Sequence, residues 1–171
     1  LYIHMPWCVR KCPYCDFNSH ELKQDLPEKA YINRLLQDLD EDLAAAGGRS
    51  LSAIFIGGGT PSLFSPSAIE HLLTEVERRV PFVQDIEITL EANPGTVEQQ
   101  RFKGFREAGV NRLSIGIQSF DEIQLKKLGR IHDSVAAYRA IDAARASGFD
   151  NFNLDIMFGL PEQNEVEALS D

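Results

Sequence analysis

The chain has 171 residues, 43% of them hydrophobic and 25% charged, and its 17 basic against 26 acidic residues give a formal net charge of −9. That length suits one domain with a core of its own, and without an apolar run of ~18 residues or a charged-then-apolar leader the sequence predicts no membrane span, no signal peptide and a cytoplasmic location. An acidic chain whose basic residues are scattered excludes nucleic acid as an expected partner.

The chain opens at Leu1 with β character and closes, after Pro161, on an acidic helix-favouring run from Glu162 to Asp171 that stops before it can bury a face. It reads as an N-terminal fragment. Short β-rich runs at about Leu1–His4, Ala53–Ile56, Asp85–Glu91, Arg112–Gln118 and Phe152–Met157 alternate with helical patterns, the signature of βαβ units.

A helix is predicted after Pro27 and Glu28, with Ile32, Leu35, Leu36, Leu39 and Leu43 on one stripe and Gly47-Gly48 as its stop. Ser65 before Pro66 reads as an N-cap followed by proline at the first helical position, with Ile69, Leu72, Leu73, Val76 and Val80 inward. Thr96 with Gln99 suggests a capping box for a third helix that turns Phe102 and Phe105 to the core. A helix over Val135–Ser147 follows. The stretches from Glu107 and from Ala146 repeat one pattern, a C-capping glycine (Gly109, Gly148), an apolar residue, polar residues and then a strand.

Parity along the strands separates the possible architectures. Ile86, Ile88 and Leu90 share a face opposite Glu87, Thr89 and Glu91; Ile115 and Ile117 oppose Ser114, Gly116 and Gln118; Leu154 and Ile156 oppose Asn153, Asp155 and Met157. A parallel sheet covered on both faces is apolar on both, so one polar face predicts a barrel whose interior holds a polar ligand. The expected fold is therefore α/β, a partial (β/α)6-type TIM-like barrel with about five β/α units present. An antiparallel sheet with one wet face is the alternative, disfavoured by the helices between all strands.

Cys8, Cys12 and Cys15 form C-x-x-x-C-x-x-C just after the first strand. Three cysteines so close together make no disulfide framework. They can hold three irons of a [4Fe–4S] cluster and leave the fourth iron open to a small molecule. A zinc site completed by His4 or His20 is the alternative.

Gly57-Gly58-Gly59-Thr60-Pro61 follows the second strand, where free backbone groups can approach a ligand, although a tight turn before the Ser65-Pro66 helix also accounts for the glycines. No phosphate-loop or dinucleotide fingerprint is present. Glu91, Gln118 and Asp155 end three successive strands with one parity and so line one mouth; Arg130, in the loop before the Val135–Ser147 helix, offers a cation to a carboxylate. His71 and His132 carry no motif.

These residues resemble the radical S-adenosylmethionine proteins, in particular the group related to oxygen-independent coproporphyrinogen III dehydrogenase. The resemblance rests on the stretch from Tyr2 through Cys8 to Cys15-Asp-Phe-Asn-Ser, on Gly57-Gly-Gly-Thr-Pro-Ser62, Glu91-Ala-Asn-Pro94, Ser114-Ile-Gly-Ile-Gln-Ser-Phe120, Leu128-Gly-Arg130 and Asn153-Leu-Asp-Ile-Met-Phe-Gly-Leu-Pro161. It implies a radical S-adenosylmethionine core over residues 1–171, with the last barrel unit and a C-terminal region missing and an edge strand left open. It further implies that Cys8, Cys12 and Cys15 ligate the cluster, that S-adenosylmethionine chelates the open iron, and that Tyr2, Tyr14, Gly58, Gly59, Thr60, Glu91, Gln118, Arg130 and Asp155 contact it.

The dehydrogenases carry a further cysteine two residues after the third ligand, where this chain has Phe17. The Cys-Asp-Phe-Asn-Ser version resembles instead the haem-chaperone branch, whose members bind haem and hand it to acceptor proteins. The implied cofactors are the cluster, S-adenosylmethionine and haem, and the implied partners a haem or porphyrin, a haem-acceptor protein and an electron donor. The alternative is the radical enzyme that oxidatively decarboxylates coproporphyrinogen III, so the resemblance leaves enzyme status open.

Overall fold

Each long strand hands over to a helix, and the next long strand lands beside the last. The computed structural model describes all 171 residues, the side chains of Thr96 and Val97 excepted. In chain order it runs β1 (Tyr2–Met5), β2 (Trp7–Cys8), β3 (His20–Glu21), α1 (Glu28–Ala46), β4 (Leu51–Gly58), a 3-10 turn (Pro61–Leu63), α2 (Pro66–Arg79), β5 (Phe82–Ala92), α3 (Thr96–Glu107), β6 (Arg112–Gln118), α4 (Glu122–Lys127), α5 (Ser134–Ala146), β7 (Phe152–Ile156) and α6 (Glu165–Ser170).

The five long strands form one parallel sheet in the order β1-β4-β5-β6-β7. A doubly wound sheet reverses its strand order at a switch point; this sheet advances in one direction only, as the wall of a barrel does. The polar parity in the sequence and the strand order thus agree on a partial barrel.

The helix-facing side of the wall carries the core: Ile54, Ile56, Ile88, Leu90, Leu113, Ile115 and Ile117 are all buried, packed with Ile69, Leu72, Leu73 and Val76 of α2, Phe102 and Phe105 of α3, and Ala137, Ala140 and Ala144 of α5. Phe64, Phe102, Phe105 and Phe149 lose essentially all solvent contact, each worth about 1.5–3 kcal/mol of burial. Only Ile32 and Leu36 of the α1 stripe are fully buried; Leu35, Leu39 and Leu43 remain partly exposed, because β1 is the sheet's edge and offers α1 a single strand to cover.

Helix boundaries follow their local chemistry. Ser65 accepts from the Ala68 amide and Pro66 opens α2; Gly47 ends α1 in the left-handed region at φ 64°. At α3 the structure differs from expectation: Gly95 is the N-cap and Thr96 already lies inside the helix. Gln99 donates instead to the carbonyls of Pro94 and Ala136, at 3.0 and 3.3 Å, tying α3 to α5; the Thr96 side chain of the expected capping box lies outside the described residues. Short α4 is not expected from the sequence, since six residues carry little periodicity; Asp121 caps it, its carboxylate accepting from the amides of Ile123 and Gln124. In α6 no residue is buried, in keeping with the acidic run that covers no face. Among the described residues no helix is long and apolar enough to cross a membrane.

Candidate functional site

The three cysteines sit on a loop closed by its own two-stranded ladder. β2 pairs in parallel with β3, Trp7 opposite His20 and Cys8 opposite Glu21, so that 11 intervening residues from Val9 to Ser19 form a closed excursion carrying Cys12 and Cys15. The ladder is extended by the amide of Leu22 on the carbonyl of Cys8 at 2.8 Å, and Cys15 N–H turns back onto Cys12 O at 3.1 Å. Lys11 holds the far side, its ammonium 3.2 Å from both Phe17 O and Ser19 O. All three thiols are free, Cys8 buried and the other two half-exposed.

These thiols open onto a cavity of about 680 Å³ at the carboxyl ends of the strands, lined also by Tyr14, Phe17, Gly58, Gly59, Thr60, Glu91, Gln118, Arg130 and Asp155. That volume suits a nucleoside-sized ligand. Eleven of the twelve residues singled out from the sequence therefore converge. Tyr2 stands apart: its hydroxyl lies 2.8 Å from His4 Nδ1, its ring stacks on Phe55, and it borders a different groove beside α1.

The glycine run serves the fold more than its sequence suggests. A Cβ on Gly59 would lie 2.6 Å from the Trp7 carbonyl oxygen, and one on Gly58 2.7 Å from the His4 ring, with Gly58 itself at φ 117°. The amides of Gly58, Gly59 and Thr60 are already spent on Glu91 Oε2, Met5 O and Trp7 O, at 2.9, 2.7 and 2.7 Å. Thr60 O takes the Leu63 amide at 3.1 Å, so what Gly58 and Gly59 can still offer a ligand is carbonyl oxygen, which suits a cationic amine rather than an anion.

The strand ends carry a connected polar network. Ser114 Oγ donates to the Asp155 carboxylate at 3.0 Å, Asn153 Nδ2 bonds both Ser114 Oγ and Asp155 Oδ1, and Arg112 spans Thr89 Oγ1 and Asn153 Oδ1. Arg112 and Asn93 were not singled out as site residues, yet both line the cavity and share the inward parity of Gln118 and Glu91. Parity carried back along β6 would have found Arg112, whereas Asn93 lies one residue past the end of β5. Gln118 ends β6 in the left-handed region at φ 72°, where the β6–β7 register shifts and its carbonyl takes the amide of Met157. A glutamine held in that conformation is strained locally and turned out of the regular strand alternation.

Electrostatics follow burial. Desolvation raises the Glu91 carboxyl above its ordinary range, the Gly58 amide opposing and the nearby Asp155 charge adding to the rise. Tyr14 is pushed up to about 12, chiefly by burial. His132 is lowered to about 4 by burial and by the charge of Arg130, while its Nε2 lies 3.0 Å from Ile117 O.

His4 cannot complete a zinc site as it stands, because both ring nitrogens are engaged, with Tyr2 Oη and with Asn18 O, each at 2.8 Å. Among the described residues no three His, Cys, Asp or Glu side chains are gathered tightly enough to hold a single ion. A cluster makes a different demand, since each cysteine ligates a separate iron.

A match to the model of the radical SAM superfamily runs over residues 2–170. The chain belongs to the radical SAM superfamily. Membership implies a [4Fe–4S] cluster and S-adenosylmethionine, and the free thiols beside a polar cavity fit both. The chain is 57% identical over 175 residues to the heme chaperone HemW of Haemophilus influenzae and 58% identical over 171 residues to that of Escherichia coli K12, covering 100% of this chain but 46% and 45% of those proteins. It thus spans just under half the length of these curated relatives. Among solved structures, Escherichia coli coproporphyrinogen III oxidase (HemN), described as a radical SAM enzyme, superposes with a TM-score of 0.88 at 29% identity, over 99% of this chain and 39% of that one.

Proposed function

We propose that this chain is the cluster-binding and S-adenosylmethionine-binding part of a haem chaperone, a protein that takes up haem and passes it to an acceptor protein. The observation that carries the reading is the identity of 57–58% along the whole chain to proteins named as heme chaperones, against 29% to the coproporphyrinogen oxidase of the same fold. Phe17 supports it, because the position that bears an additional cysteine in the dehydrogenases bears here a phenyl ring, 65% exposed at the cavity.

Within the cavity, Cys8, Cys12 and Cys15 are proposed as the cluster ligands. Gly58 and Gly59 offer carbonyl oxygens to the ligand's ammonium, and Thr60, whose carbonyl takes the Leu63 amide, offers its hydroxyl oxygen. Glu91, Gln118 and Asp155 take its hydroxyl and amino donors, Arg130 supplies a positive field for its carboxylate, and Tyr14 offers a ring face for adenine. Tyr2 acts through His4, which holds Asn18 and hence the cysteine loop. Bound there, the cluster and S-adenosylmethionine supply one-electron chemistry. The chain's own residues shape the cavity and balance its charge.

Full-length protein reconstituted anaerobically with iron and sulfide tests the cluster assignment, since the brown absorbance should form in wild type and fail in Cys12→Ala. Offered haem, the protein should bind it stoichiometrically. Offered coproporphyrinogen III with S-adenosylmethionine and a reductant, it should return the substrate unchanged; turnover to protoporphyrinogen overturns the chaperone reading and favours the dehydrogenase.

A further inference from the structure

The cysteine loop is braced from a point 118 residues away in the chain, where Arg130 Nη1 lies 3.5 Å from Cys12 Sγ. Two further hydrogen bonds fix the guanidinium: Nη2 donates to Asn93 Oδ1 at 2.7 Å and to Gly116 O at 2.8 Å. Its Nε is buried and has no partner among the described residues. Among the described residues no carboxylate lies within ion-pair distance of Arg130, in contrast to Arg78, Arg79 and Arg112. The preceding residue reinforces the contact. Gly129 adopts φ 69°, and a Cβ there would lie 3.0 Å from Pro13 Cδ, so the turn rests directly on the cysteine loop.

A fixed, half-buried cation whose hydrogen-bond partners are neutral acceptors and one sulfur has, among the described residues, no protein carboxylate to balance it, so its field reaches that sulfur as well as any ligand carboxylate. The charge is felt nearby: it contributes to the depression of His132. A cluster held by thiolates is anionic, and one-electron reduction adds a further negative charge without making or breaking a bond. Net charge and hydrogen bonds to the sulfurs are among the features that set cluster potentials.

We propose that Arg130 is a positioning residue for the cluster: it donates a hydrogen bond to the Cys12 sulfur, holds the loop through Gly129 and Pro13, and raises the cluster's reduction potential by compensating the charge gained on reduction. This rests on the reading of Cys12 as a cluster ligand, and goes beyond any contact of Arg130 with S-adenosylmethionine.

The test uses full-length protein, anaerobically reconstituted and free of S-adenosylmethionine, titrated with dithionite while the reduced cluster is followed by electron paramagnetic resonance. Iron and sulfide content of the wild type checks the underlying cluster reading separately. Arg130→Met, fully loaded, should reduce at a more negative potential than wild type; an unchanged or more positive midpoint overturns the proposal. Arg130→Lys keeps a cation but not the planar fork, and provides the second arm should the methionine variant load poorly. It should show a smaller shift in the same direction, and a change in the terminal iron–cysteine stretch by resonance Raman as the sulfur loses its donor. Wild-type values for both quantities in the lysine variant overturn the proposal.

Discussion

Replacing Gly59 by alanine separates two readings of the glycine run. If the run exists only to let a ligand approach, alanine leaves the ligand-free fold unharmed. The structure says otherwise: the new Cβ would lie 2.6 Å from Trp7 O, 2.9 Å from Trp7 C and 3.0 Å from Met5 O. All three are backbone atoms, so no side-chain rotation relieves the clash, and the chain must move where Gly59 N–H meets Met5 O and Thr60 N–H meets Trp7 O, each at 2.7 Å. Overpacking of this kind costs about 1–3 kcal/mol, and weakening one of the two hydrogen bonds adds about 0.5–1.5 kcal/mol. A loss of about 2–4 kcal/mol is a large share of the ~5–15 kcal/mol that holds a typical domain. With a urea slope of about 2 kcal/mol/M, the unfolding midpoint should fall by about 1–2 M. Trp7, the single tryptophan, borders the substitution and reports local as well as global loss through its fluorescence. Gly148→Ala is the comparison, because at φ 82° it meets no atom within 4 Å and pays only the left-handed conformation, about 1–2 kcal/mol. A Gly59→Ala protein within 0.5 kcal/mol of wild type, or no worse than Gly148→Ala, would show that the backbone approach at Trp7 and Met5 does not require the glycine.

Three further expectations follow from the same geometry. Ser114→Ala deprives Asp155 of a donor at 3.0 Å and Asn153 of an acceptor, and should cost about 1.5–3 kcal/mol in urea unfolding; a change below 0.5 kcal/mol would mean that water replaces the hydroxyl freely. His132 has a folded-state pKa lowered from 6.5 to about 4, so the unfolded chain takes up its proton first and stability falls as pH drops from about 6.5 toward 4. In His132→Gln that part of the pH dependence should vanish, and an unaltered stability profile over this window contradicts the assignment. Phe102→Ala empties a fully buried site between α3 and the sheet and should cost about 3–5 kcal/mol by calorimetry or urea, with a loss under 1 kcal/mol showing that the core closes over the gap.

The sequence displayed its architecture through parity. Alternation in the third and fourth long strands identified both the helix-packed face and the wet one, because the two faces of a barrel wall meet different surroundings; in the fifth, Ile156 of the apolar set is 40% exposed, since β7 is the sheet's edge and α6 buries nothing against it. Ends of elements were less legible. β5 extends back to Phe82, three residues before the alternation begins, since its early residues are largely exposed and mark neither face. The ladder between β2 and β3 was invisible for another reason: two-residue strands carry no period, and their pairing depends on how the cysteine loop folds back. The site shows the same division. Cys8, Cys12 and Cys15 and the strand-end row stood out by spacing and parity, whereas the burden on the glycine amides and the reach of Arg130 to Cys12 come from tertiary approach that no local pattern encodes. Tyr2, which the resemblance places among the ligand contacts, has its hydroxyl on His4 Nδ1 and lines the groove beside α1, an orientation set by tertiary packing.

Three cysteines are proposed to hold a cluster whose open iron faces the cavity at the strand ends, where S-adenosylmethionine would bind. Electron paramagnetic resonance of the reduced, reconstituted full-length protein, recorded with and without S-adenosylmethionine, tests it most directly. The expected result is a [4Fe–4S] signal whose g-values move when S-adenosylmethionine is added and which is lost in Cys12→Ala. A signal indifferent to S-adenosylmethionine, or one that survives the loss of Cys12, would contradict it.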